Sequence, residues 1–152
     1  MIDHAQRARE LFMQGYNCAQ SVACAFCDVT GLSLELSARM ASAFGGGLGR
    51  LREVCGTVSG AALVLGLVEG YADPGDYAAK KAHYARVQEF ARRFREAQGS
   101  IVCRELLRGI HVTEGGAPDA RTEEYYRKRP CPNLAYCAAE ILDELLRESE
   151  TP

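Results

Sequence analysis

Apolar positions recur at three- and four-residue spacing along nearly the whole chain, which is the period of a helix face. No stretch shows the β-branched alternation of a strand. The pattern predicts an all-α fold. A first amphipathic helix runs from Ala5 to Gln14 and ends at Gly15; Asn17 then caps a second, which carries CAQSVACAFC as far as Gly31. Ser33 to Ala43 forms a third. The loop GGGLG precedes an apolar helix over about residues 52–69, and Pro74-Gly75 marks a turn before a long charged helix, Tyr77 to Ala97. Gly99-Ser100 opens a sixth, Ile101 to Arg108. The polar segment HVTEGGAPDA reads as a surface loop or a lid, and Pro132 suits the first position of a last helix running to about Glu148. The expected architecture is one domain, residues 1–152, of about seven helices around the central apolar helix.

Length and composition fit that reading. A chain of 152 residues can bury a sizeable core in one domain without metals or disulfides. Its net charge of -2 lacks the basic excess that follows a phosphate backbone, so nucleic acid is not an expected partner. The longest uncharged run, Val54 to Val68, is too short to span a bilayer and reads as a buried helix. The start, MIDHAQRARELF, lacks an apolar signal core, so the expected location is the cytoplasm. Thiols there stay mostly reduced.

Seven cysteines then become the feature to explain: Cys18, Cys24, Cys27, Cys55, Cys103, Cys131 and Cys137. Four fall at or near predicted helix starts, because Cys18 follows Asn17, Cys55 follows the glycine loop, Cys103 lies three after Ser100, and Cys131 precedes Pro132. A helix N-terminus carries partial positive charge and free N–H groups, which favours a thiolate. Four thiolates are the usual complement of zinc or of an iron–sulfur cluster. Read singly, each is more readily a small packing residue. Cys24 and Cys27 share one face of a helix and read as buried, and Cys137, among alanines, reads as packing.

Other chemistry is sparse. The glycine loop lacks the Lys-Ser or Lys-Thr of a phosphate loop and follows no strand; Gly45, Gly46, Gly47, Gly56 and Gly60 read instead as places where backbone approaches a cofactor closely. His4, His83 and His111 have no partners at ligand spacing and read as solvated surface residues, with His111 placed to add an auxiliary ligand. Phe90 and Phe94, four apart on the charged helix, read as core contacts.

The segments GYNCAQSV, FGGGLGR with VCGTVSGAALVLG, GSIVCRELL, and RPCP with AAEIL together resemble the family named C_GCAxxG_C_C, described as redox-active proteins of bacteria and archaea. By that resemblance the family cysteines are Cys18, Cys55, Cys103 and Cys131, with Cys131 preferred to Cys137 on spacing. The signature CGAxxG appears as Cys55 to Gly60 with Thr57 in place of alanine. A similar domain in split-Soret cytochrome c has a cysteine pocket associated with an iron–sulfur centre of the two-iron type. The haem of that protein is not implied here, since the chain has no C-x-x-C-H.

The expectation is a redox protein that binds an iron–sulfur cluster, of two irons, through these four cysteines for electron transfer with a partner protein. Two other readings stay open: a metal-free thiol–disulfide protein, and an interaction module built on structural zinc. A homodimer is compatible with either.

Overall fold

The computed structural model describes residues 1–150, and among them it is all-helical. Nine α-helices follow in order: α1 His4–Met13, α2 Cys18–Ala25, α3 Cys27–Thr30, α4 Leu34–Ala41, α5 Gly56–Glu69, α6 Tyr77–Gln98, α7 Cys103–Leu106, α8 Glu123–Lys128 and α9 Cys131–Glu150. A 3-10 turn, Ser42–Phe44, follows α4.

The caps act where short polar side chains precede apolar runs. Asp3, Asn17, Ser33, Asp76 and Thr122 each accept a bond from a first-turn backbone N–H of the helix that follows. Asn17 does so reciprocally, since Gln20 reaches back to the Asn17 N–H at 3.0 Å.

Helices α2 and α5 share the centre. Every residue of α2 from Ala19 is buried except Gln20, and α2 packs against α1, α4, α5 and α9. Its contact with α5 is close because the facing residues are small: a Cβ on Gly60 would lie 2.6 Å from the Ala19 carbonyl oxygen. Helix α1 lies along α9, and α6 covers α5 and α9 with Phe90 and Phe94, both fully buried.

The observed fold departs from the predicted one in four places. There are nine helices rather than about seven, and the centre belongs to α2 as much as to α5. The second predicted helix breaks at Phe26, whose φ of -105° and ψ of 21° leave the helical range before α3. Residues 52–55 are not the start of α5: Arg52 has φ of 60°, and Val54 forms an isolated antiparallel bridge with Val102. That bridge also reduces the predicted sixth helix to the single turn of α7. Finally α8, from EEYYRK, forms where a loop was expected to continue.

His4 also departs from expectation. It is buried, stacked on Phe26 at 4.2 Å, with Nδ1 at 2.7 Å from Asp143 and Nε2 at 3.0 Å from Asp28. The two carboxylates come from α3 and α9, beyond the reach of local pattern. No helix among the described residues is long and apolar enough to cross a membrane.

Candidate functional site

Cys18, Cys55, Cys103 and Cys131, drawn from four separate parts of the chain, line one cavity of about 60 Å³. Its size is that of a few water molecules. Cys18, Cys103 and Cys131 are the first residues of α2, α7 and α9, and Cys55 is the residue that precedes α5. The bridge between Val54 and Val102 sets Cys55 and Cys103 on neighbouring strands of backbone: Cys55 N–H donates to the Ile101 carbonyl at 2.7 Å and Cys103 N–H to the Glu53 carbonyl at 2.6 Å. Gly47 completes this corner with φ of 72°, where a Cβ would meet the Cys103 Cβ at 2.7 Å.

The glycines named from the sequence divide. Gly46 and Gly56 line the cysteine cavity. Gly45 stands against Asn17 beside an outer basin, Gly47 packs on Cys103, and Gly60 packs on Ala19 away from the cavity.

The other three cysteines lie elsewhere. Cys24 Sγ is 3.8 Å from the Leu34 carbonyl oxygen and Cys27 Sγ 3.4 Å from Ser37 Oγ, while Cys137 sits on α9 outside the cavity lining. All seven cysteines are free thiols. His111 is exposed and lines neither space.

Arginines were missed by the sequence reading. Arg52, Arg121 and Arg129 line the cavity with Phe12, Thr57 and Tyr125. Arg52 is buried, with Nη1 donating toward Cys103 Sγ at 3.9 Å and Nε to the Thr113 carbonyl at 3.0 Å. Arg121 lies over the rings of Phe12 and Tyr125 at 4.3 and 4.9 Å, donating to the carbonyls of Phe12 and Tyr16. Arg129 lies over Tyr125 at 4.7 Å and donates to Asp119 at 2.8 Å. Arg50, with bonds to Gly115, Thr113 and Asp119, ties down the segment expected as a surface loop or a lid. The pairs of arginines in GRLRE and RKRPC, beside two of the four cysteines, were the available signal.

Electrostatics correct one expectation. In the metal-free chain the helix starts do not hold Cys18, Cys55 and Cys131 as thiolates, because burial outweighs the dipole. Burial, and then the neighbouring Cys18, push the Cys131 thiol up to about 12; burial raises Cys18 and Cys55 as well. Backbone N–H groups of Gly46 and Ala19 oppose the shift at Cys18, as Thr57 does at Cys55. The Thr57 hydroxyl lies 3.1 Å from Cys55 Sγ. Buried thiols of this kind are poor nucleophiles, and a cation must displace their protons.

By type, four thiols are a donor set that suits zinc or an iron–sulfur group. Among the described residues no three Cys, His, Asp or Glu side chains are arranged to hold a single metal ion. Sulfur donors around a small cavity with neighbouring N–H groups and guanidinium charge suit an anionic group.

Fold and site together define a small all-helical protein with a four-cysteine cavity walled by arginine. The chain matches, over residues 16–145, the family model described as "Putative redox-active protein (C_GCAxxG_C_C)". It belongs to that family. Comparison with curated proteins found no match, and comparison with solved structures found none.

Proposed function

We propose that the protein is an electron-transfer protein in which Cys18, Cys55, Cys103 and Cys131 hold an iron–sulfur cluster of two irons. The observation that carries this reading is the convergence of those four thiols on one cavity. The cluster would supply one-electron chemistry. The chain's own groups have separate tasks: the four thiols give up protons to become ligands, the N–H of Gly46 and the hydroxyl of Thr57 bond to sulfur, and the arginines offset negative charge. Tyr125, Leu106, Leu107 and Leu134 restrict water.

The raised thiols favour this reading over thiol–disulfide cycling, which requires an attacking thiolate.

The test is anaerobic reconstitution with iron and sulfide. Iron and acid-labile sulfide in equal amounts, with visible charge-transfer absorption lost on replacing any of the four cysteines, is the expected result. A colourless protein that retains neither would overturn the reading.

A further inference from the structure

The arginines beside the cysteines outnumber the carboxylates available to them. Arg50, Arg52, Arg121 and Arg129 line an outer basin of about 350 Å³, which shares Asn17, Gly46, Tyr125 and three of those arginines with the cysteine cavity. Asp119 is the one carboxylate on its wall. A single oxygen of Asp119 receives both Arg50 and Arg129, at 3.0 and 2.8 Å. Arg52 Nη2 stands 3.9 Å from that same oxygen and makes no hydrogen bond, although its side chain is only 5% exposed. Arg121 is committed to backbone carbonyls and aromatic rings.

Four guanidinium groups against one carboxylate leave a strong local excess of positive charge, held in place by carbonyls and rings that do not neutralise it. A buried charged N–H without an acceptor is costly, and Arg52 lines a space large enough for a small molecule. Charge balancing of a cluster would not call for Arg50, which lines only the outer basin.

We propose that this basin binds a small, multiply charged oxyanion, held by Arg52, Arg121 and Arg129 and lying against the cysteine cavity. Arg52, whose Nη2 lacks a hydrogen-bond acceptor, is its first partner. Bidentate guanidinium–oxyanion pairing gives the selectivity over chloride. Gly45, Gly46, Gly49 and Gly116 also line the basin and leave room for whatever the oxyanion is attached to. The site does not depend on metal in the cavity next to it.

Calorimetric titration of the metal-free 152-residue chain with inorganic phosphate, and separately with sulfate, at low ionic strength tests this. Saturable binding is expected, weakened at least tenfold in both Arg52→Gln and Arg129→Gln and unchanged in Arg92→Gln, on the outer face of α6. Circular dichroism confirms the fold of each variant; Arg129→Gln carries the test if Arg52→Gln does not fold. Absence of saturable binding, or equal binding by wild type and the folded basin variants, overturns the proposal. Because the titration needs no iron, a chain that binds phosphate but takes up no cluster upholds this site while sinking the cluster reading. One that takes up a cluster and binds no anion does the reverse.

Discussion

Gly56 stands directly against Cys18: a Cβ at this glycine would collide with Cys18 Sγ and lie 2.8 Å from the Phe44 carbonyl oxygen. The starts of α2 and α5 therefore touch through a residue with no side chain, and that contact holds Cys18 beside Cys55. Gly56→Ala should destabilise the protein by about 1–3 kcal/mol through overpacking. Thermal unfolding reads this as a fall in Tm of roughly 2–4 °C per kcal/mol for a chain of this size. An unchanged Tm would mean that α2 and α5 separate easily.

The seven cysteines should sort into two groups. Serine at position 18, 55, 103 or 131 is expected to abolish retention of iron and sulfide, whereas Cys24→Ser, Cys27→Ser and Cys137→Ser retain both. Metal analysis of reconstituted variants checks this. Loss in Cys137→Ser with retention in Cys131→Ser would reverse the choice made between those two residues.

The Thr57 hydroxyl meets Cys55 Sγ at 3.1 Å. A hydrogen bond to a ligating sulfur stabilises the more negative, reduced state. Thr57→Ala should therefore keep the cluster and make its midpoint potential more negative, as protein-film voltammetry would measure. A potential that stays put would show that the hydroxyl donates elsewhere.

His4 joins α1 to α3 and α9 through Asp28 and Asp143. Its replacement leaves two partly buried carboxylates without their shared partner and empties the stacking place on Phe26. His4→Ala should cost about 2–4 kcal/mol in denaturant unfolding, from lost packing and unpaired groups. Cluster uptake should survive, since His4 does not line the cavity.

Glu69 ties α5 to α6 and α9. Burial raises its carboxyl, but bonds from Arg86 and from Ser149 overcome this and hold it below its ordinary value. A depressed carboxylate contributes stability that is present above its unfolded pKa of about 4.3 and is lost as pH falls through the folded value. Glu69→Gln should therefore be less stable than wild type at neutral pH, and the gap should close as the solution is acidified below about pH 4. A gap that persists in acid would assign the loss to packing rather than charge.

Much of this was legible in the sequence where the physics is local. Asn17, Ser33 and Asp76 cap helices because a short polar side chain reaches an N–H in the next turn, and that signal lies within four residues. Cys18 begins α2 behind its Asn17 cap for this reason, whereas α5 and α7 start without a side-chain cap. The thiol charge state was misjudged because the dipole is a local property and burial is not. His4 was misplaced on the same ground, since its carboxylates lie 24 and 139 residues away.

Sequence alone determined the all-helical class and most helix starts, because periodicity and capping act over a few residues. Tertiary structure decided that Cys18, Cys55, Cys103 and Cys131 meet. The bridge of Val54 to Val102 sets two of them side by side, the bare face of Gly56 admits a third, and α9 brings the fourth. It also gathered Arg50, Arg52, Arg121 and Arg129 around a single Asp119, a charge imbalance that linear spacing does not display. Convergence of this kind depends on packing between distant segments, and only the folded chain expresses it.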